Sequence, residues 1–192
     1  MKKSALLAAL AICVAAAGAL QADDKKDAKA PVISLAGGKI SLAAPVAWEK
    51  KKPRSRIVQY EFAAPVAKGD KIAGRITVMG AGGSVDANVQ RWMGQFTQPD
   101  GKSTKDRTKV TKKTIVGGQL HVVDITGTFL DKTGGPFAPG PTVKRDNYRM
   151  LGAIIVTPKL GQYFVKMYGP KATIDAQAKA FQKMVEEAKI RD

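Results

Sequence analysis

The chain is poor in the side chains that most disulfide frameworks and metal sites use. Among its 192 residues there is one cysteine, Cys13, and one histidine, His121. A single cysteine cannot form a disulfide within the chain, and together with one histidine it leaves too few ligands for a zinc site. We therefore expect no disulfide framework and no metal site, and we find no motif that indicates a cofactor.

Acidic residues are also scarce. The chain has 16 Asp and Glu against 32 Lys and Arg, which gives a formal net charge of +16. The few carboxylates are scattered and often adjacent to a cation, which does not suit the paired acids of a glycoside hydrolase. A charge excess of this size attracts polyanions or acidic surfaces whatever the fold. Nucleic acid is a poor candidate, because no aromatic residues for base stacking are interleaved with the basic segments.

The first 22 residues have the pattern of a signal peptide. Lys2 and Lys3 precede an apolar stretch at 5–20, and a small residue, Ala22, stands before the polar run that begins at Asp23. The stretch is too short and too poorly flanked for a transmembrane span. The sequence thus predicts cleavage after Ala22 and a secreted or periplasmic protein; a buried N-terminal helix is the less favoured alternative.

Cys13 lies inside that apolar stretch between Ile12 and Val14. A lipoprotein signal needs a small residue before its cysteine and a polar exit soon after it, so lipid anchoring is also disfavoured. Cleavage would remove the only thiol and leave 30 basic against 16 acidic residues, a charge of +14. We interpret 23–30 as a disordered charged leader and 31–192 as a single domain.

Short runs rich in β-branched and aromatic residues, separated by turn signals, predict strands. They lie at 32–35, 40–42, 57–62, 74–79, 108–116, 119–129, 148–156 and 162–168. The first two, joined by Gly37-Gly38, are predicted to form a hairpin. Residues 131–147 are predicted to be a long Gly/Pro-rich connection. The continuous apolar run at 154–156 favours a central strand that is buried on both faces.

Two segments change to the helical period. Residues 84–98 carry an apolar stripe that includes Trp92, with Ser84 as the N-cap, and a second helix enters at Gly169-Pro170 with Thr173 as its cap. The predicted fold class is therefore α+β, with a largely antiparallel β-sheet that helices cover on both faces.

A set of short motifs carries a resemblance over about residues 38–190. They are Gly69-Asp70, Gly82-Gly83, Asn88 with Arg91-Trp92 and Gln95-Phe96, Gly127-Thr128, Tyr163-Phe164-Val165-Lys166 and Gly169-Pro170. This set resembles uncharacterised secreted bacterial proteins of the planctomycete type, and the order of elements resembles the PsbP-like α/β/α sandwich. That resemblance implies a binding or docking module without chemistry, as in photosystem subunits, assembly factors and nuclear transport accessory proteins. It implies no ligand-binding residues, because fold does not determine function.

The densest cationic run in the sequence supplies the candidate binding residues. Five cations fall within seven residues in a predicted loop, namely Lys50, Lys51, Lys52, Arg54 and Arg56. Further cations follow at Lys102, Lys105, Arg107, Lys109, Lys112, Lys113, Lys144 and Arg145. Phe137 stands at the centre of the stiff Gly/Pro-rich part of 131–147, and long loops on rigid scaffolds often bind partners.

Two interpretations of these cations stay open. If they share a face, they form a patch for an anionic envelope component or an acidic partner protein; otherwise they make a generally basic surface. We favour a non-enzymatic exported docking module. The alternative from a different class is a small exported hydrolase or ligand-processing enzyme that uses His121, with Ser84 or Ser103 as nucleophile. Neither serine lies in a nucleophile elbow, and Asp124 lies on the opposite face of the strand from His121.

Overall fold

The structure is a computed structural model, and it describes residues 29–132 and 140–191. Within these residues the chain forms eleven strands and two α-helices. The strands are β1 (Val32–Leu35), β2 (Ile40–Ala43), β3 (Glu49–Lys51), β4 (Tyr60–Ala64), β5 (Gly74–Ala81), β6 (Phe96–Thr97), β7 (Thr108–Ile115), β8 (Gly118–Lys132), β9 (Thr142–Thr157), β10 (Gly161–Pro170) and β11 (Lys189–Ile190). The helices are α1 (Val85–Met93) and α2 (Lys171–Glu186).

Most of the strands form one antiparallel sheet. Its order is β3-β4-β5-β10-β9-β8-β6, and β7 pairs with the same edge of β8 at a different height. A smaller antiparallel sheet has the order β1-β2-β11, and its β1–β2 pair is the hairpin that the sequence predicted. The largely antiparallel sheet with two helices is thus confirmed.

The middle of β9 is buried on both faces of the main sheet. Leu151, Ala153 and Ile155 belong to one apolar cluster, whereas Met150 and Ile154 belong to another. This division follows from the pleat, which sends successive side chains to opposite faces. The continuous apolar run in the sequence correctly indicated such a central strand.

One face of the main sheet packs against α2 and the small sheet together. Ile174 and Phe181 of α2 and Ile33 and Ile40 of the small sheet are each 0% exposed within the same cluster. Each side chain of this kind contributes roughly 1.5–3 kcal/mol on burial. This face, the α2 face, therefore carries the larger share of the core.

The other face packs against α1. Trp92 lies on Gly152 of β9 so closely that a Cβ on Gly152 would come within 2.3 Å of the indole ring. The indole meets Phe164 edge to face, with ring centroids 5.0 Å apart. We call this the α1 face. The glycine makes room for the tryptophan that anchors the helix.

The prediction that helices cover both faces overstates the helical contribution. The α2 face is shared between α2 and a three-stranded sheet, and α1 is a nine-residue helix. The protein is rich in strands because the hairpin β1–β2 and the strand β11 take a place in the layer that the sequence assigned to helix alone. The α1 helix also stops at Met93, and Phe96 lies in β6.

Two further local predictions were wrong. Thr173 does not cap α2, which begins at Lys171; its hydroxyl donates to Asp70 at 2.6 Å and is buried, while Asp70 also accepts the Thr173 amide at 2.9 Å. Asp70 thus satisfies a free amide of the first turn from a distant loop. The connection predicted at 131–147 is shorter, because β8 continues to Lys132 and β9 begins at Thr142.

Candidate functional site

Lys50 and Lys51 lie in the edge strand β3 and not in a loop, which corrects the sequence prediction. They pair with Phe62 and Glu61 of β4, so their side chains point to opposite faces of the sheet. The Lys50 ammonium lies 5.7 Å from the centroid of the Tyr60 ring. Lys51 forms an ion pair with its neighbour on the strand, Glu49. The two lysines therefore do not present one joint surface.

Arg54 is attached to a buried carboxylate. Glu61 is 3% exposed and accepts hydrogen bonds from the Arg54 amide at 3.1 Å and from both Nε and Nη2 of Arg75 at 2.9 Å. Burial acts to raise the pKa of Glu61, but these bonds and the two guanidinium charges hold it below its usual value. The Arg54 side chain is largely exposed, with its Nε 3.4 Å from Glu61. This pair fixes the segment after β3 onto the sheet.

Lys52 and Arg56 are exposed in the same segment. Of the five cations that the sequence singled out here, three thus contact groups of their own chain. Phe137, another predicted site residue, lies outside the described residues.

Lys144 and Arg145 are strand residues of β9, opposite Leu130 and Phe129 of β8. Four strand spacings separate β9 from β3, or roughly 20 Å. Arg145 lies 3.4 Å from Asp131. The structure therefore does not bring these two cations together with the segment at 50–56.

Six exposed cations lie between residues 102 and 113. They are Lys102, Lys105, Arg107, Lys109, Lys112 and Lys113, on β7 and the segment before it, and all six are exposed. No acidic residue occurs between Asp106 and Asp124. Arg107 pairs with Asp100 at 3.0 Å and Lys113 with Glu186 at 2.7 Å. We call the exposed run 102–113 the basic edge.

An open cleft of about 800 Å³ adjoins the basic edge. Its lining includes the cations Arg107, Lys144 and Lys171 and the acids Asp100 and Asp146. Hydrogen bonds that the Lys102 amide and Arg107 donate to Asp100 hold the pKa of Asp100 below its usual value. The cleft thus joins one sequence-predicted residue, Lys144, to the basic edge.

The sequence analysis did not single out Lys166, a half-buried lysine on the α1 face. Lys166 of β10 donates to the Gln95 side-chain oxygen, and its Nζ lies 4.9 Å from the Tyr168 ring centroid and 5.6 Å from that of Phe129. Burial and the charges of Arg75 and Arg91 lower its pKa to about 7. The one available signal was a lysine within the otherwise apolar run 163–167, which by itself marks no site.

Lys166 is one member of a polar chain across that face. Tyr168 accepts a hydrogen bond from Arg75 Nη1 at 2.6 Å, and Arg75 binds Glu61. Because these groups satisfy one another, we assign the chain to folding and not to ligand binding. Such internally paired networks can hold a sheet face rigid.

His121 and its candidate partners do not form a hydrolytic site. His121 is half-buried opposite Lys112 of β7, and burial together with that lysine lowers its pKa. Ser84 accepts the Ala87 amide as the N-cap of α1, and Ser103 accepts the Lys105 amide. Both hydroxyls thus serve as caps of short helical segments.

Within residues 29–132 and 140–191, no three His, Cys, Asp or Glu side chains are grouped to hold a metal ion. Nor does any helix in this part of the chain have the length and apolar character needed to cross a bilayer.

The sequence matches no protein-family model and no curated protein. Among solved structures, the chain is similar to the solution structure of cyanobacterial PsbP (CyanoP) from Synechocystis sp. PCC 6803. The TM-score is 0.51 at 8% identity, over 88% of this chain and 97% of that chain. A crystal structure of LpqN, described as involved in cell envelope biogenesis of Mycobacterium tuberculosis, matches with a TM-score of 0.48 at 12% identity, over 80% and 83% of the two chains. The second likeness is too weak to carry an argument. At 8% identity the likeness to cyanobacterial PsbP shows a shared fold and nothing more. The fold of this chain is PsbP-like.

Proposed function

We propose that this protein is a non-enzymatic, exported docking module that binds an anionic partner through its basic edge. The observation that carries the proposal is the set of six exposed cations between Lys102 and Lys113, among which Asp106 is the one acidic residue. The partner is an anionic envelope polymer or an acidic protein, and export rests on the signal peptide predicted at 1–22.

Electrostatics supports the basic edge over the segment at 50–56. In the basic edge only Arg107 and Lys113 form ion pairs with acids, both of them partly exposed. In the other segment Arg54 is bound to a buried acid, and Lys50 lies over a tyrosine ring. Cations that are not neutralised within the chain attract an anionic partner over about a Debye length, roughly 8–10 Å.

The contacts of the candidate nucleophiles favour docking over chemistry. The one histidine has a lysine as its register partner, and both candidate serines accept backbone amides. The PsbP-like fold is compatible with a docking role, but it supplies no residues for one.

The test is salt-dependent binding of the full chain to two soluble polyanions, polyglutamate and alginate. We expect binding at about 50 mM salt that weakens strongly at about 200 mM, because added ions screen surface charges. Lys105→Gln, Lys109→Gln and Lys112→Gln together should weaken it by about tenfold or more. The matched control is Lys50→Gln, Lys52→Gln and Arg56→Gln, which removes the same charge and should have a smaller effect. Salt-independent binding, or none, would contradict the proposal.

A further inference from the structure

The strand β7 has a neighbour on one side only. It pairs with β8 over its whole length, from Thr108 opposite Ile125 to Ile115 opposite Gly118. No other strand of the described chain pairs with it. In an antiparallel strand every second residue directs its N–H and C=O away from the paired neighbour. Such an edge can serve as a template for a further strand.

Both faces of β7 are open as well as its edge. The six residues from Lys109 to Thr114 are all exposed. Val110 on the α1 face is 48% exposed although it is apolar. Apart from the Lys113–Glu186 ion pair with α2, the side chains of this stretch are thus accessible on both faces.

The charge on β7 selects between possible added strands. Lys109 and Lys113 point to the α2 face and Lys112 points to the α1 face, as their partners across the pair show. A second copy of β7 would place lysines against lysines, which opposes self-pairing. An acidic strand would place carboxylates opposite the lysines on both faces, and opposite charges stabilise cross-strand pairs.

We propose that β7 binds an extended acidic peptide segment of a partner protein, which adds to the main sheet as an antiparallel strand. This inference rests on the proposed docking function and specifies its partner and binding mode. Backbone hydrogen bonds along the edge supply affinity, and the lysines on alternate faces supply the preference for acidic side chains. The edge strand at the other side of the sheet, β3, has three residues and is a poorer template.

The test uses the full chain and a synthetic eight-residue peptide with glutamate at the three positions that antiparallel pairing places opposite Lys109, Lys112 and Lys113, and with valine or threonine elsewhere. Its control is the same peptide with alternate backbone amides N-methylated along one edge, made in two versions, one for each edge. Methylation removes donors without changing side-chain charge. We expect one version to bind at least about tenfold more weakly than the parent peptide, because it cannot donate to the β7 edge. The other version should bind nearly as well.

Charge variants identify the strand that is used. Lys109→Glu with Lys112→Glu should weaken binding of the parent peptide by at least about tenfold. The matched control, Lys50→Glu with Lys52→Glu, carries the same net charge and should stay within about threefold. Both pairs of substitutions are on exposed side chains, so folding should be preserved, and circular dichroism checks it.

The outcomes separate this proposal from the docking function. If the parent and both methylated peptides bind equally and polyglutamate also binds, docking stands and strand addition is overturned. If alginate binds but none of the peptides does, the acidic peptide is the wrong partner and the inference is again overturned. If no polyanion and no peptide binds, the proposed function itself fails. Loss of binding in only one methylated version supports strand addition.

Discussion

The two edges of the main sheet are both rich in lysine, yet they differ in what their cations contact. At the β3 edge Lys50 lies over Tyr60, Lys51 pairs with Glu49, and Arg54 binds the buried Glu61. At the β7 edge six successive residues are exposed over a strand of eight. The β3 edge is therefore built into the fold, whereas the β7 edge is available to a partner.

This difference shows why charge density along the sequence is a poor guide to an interface. The run at 50–56 has the higher local density of cations, with five in seven residues. Its cations are partly neutralised by the chain itself. The basic edge is distinguished by the length of its open strand and by ion pairs at only two of its six cations, Arg107 and Lys113. Both are properties of the folded sheet.

The largest effect is expected where the β3 edge is anchored. Glu61→Gln should lower the free energy of unfolding by about 3 kcal/mol, because it leaves the half-buried Arg75 without its carboxylate. Since the folded state holds the Glu61 pKa below 4.5, this stabilisation is present above that pH and is lost as the pH falls through the lower folded-state pKa. Urea unfolding of the unmodified protein and of Glu61→Gln at several pH values measures the stability loss and its dependence on pH.

The control for that change is Glu49→Gln, which breaks the exposed pair with Lys51. We expect a loss below about 0.5 kcal/mol. Equal losses for the two variants would show that Glu61 does not anchor this edge.

The next largest effect is the difference between the two edges in how much their lysines contribute to polyanion binding. Exchanging charge at β7 with Lys109→Glu and Lys112→Glu should weaken polyglutamate binding by about thirtyfold at low salt. The same exchange at Lys50 and Lys52 should change it by no more than about threefold. Isothermal titration calorimetry gives both values, and a reversed order would assign docking to the β3 edge.

A smaller effect concerns Lys166, in the polar chain on the α1 face. The folded-state pKa of about 7 lies below the ordinary value of 10.5, so between these values the unfolded state binds more protons. Stability should therefore rise with pH across this window, by about 2 kcal/mol between about pH 7 and pH 9. Lys166→Met should abolish this rise, which chemical denaturation can measure.

The control here is Lys159→Met, a change at an exposed lysine in the turn before β10. Its stability should follow that of the unmodified protein at every pH. If Lys166→Met also keeps the full rise with pH, another group is responsible for it.

The smallest effect is expected at the β7 edge itself. Lys113→Gln removes an ion pair with Glu186 in which the two side chains are 53% and 28% exposed. We expect a stability loss below about 0.5 kcal/mol, because solvent screens such pairs. Thermal unfolding of Lys113→Gln and of Glu61→Gln, measured side by side, compares the two edges directly. A stability loss above about 2 kcal/mol for Lys113→Gln would mean that β7 is also built into the fold.

Much of the fold could be predicted from local pattern. Alternation and turn residues located β1, β2, β5, β7 and β10 to within a few residues. The end of β8 and the start of β9 could not be found, because 142–147 is mostly polar and mostly exposed and becomes a strand by pairing with β8. Likewise Thr173 resembles a helix cap in sequence, but Asp70, about a hundred residues earlier, supplies the carboxylate.

The candidate site was less predictable for the same reason. The sequence named Lys109 and Lys112 among many cations, but nothing local shows that β7 lies at the edge of the sheet. It did not show that Arg54 would meet Glu61, or that Lys166 would meet two aromatic rings, since those contacts join distant strands. The proposed site therefore depends on topology more than on any motif.

The most direct measurement is amide hydrogen exchange of the full chain with and without the acidic peptide. We predict that the peptide slows exchange at alternate amides between Lys109 and Thr114, those that point away from β8, and leaves the exchange of the β3 amides unchanged. Binding without new protection in β7, or with protection in β3, would contradict it.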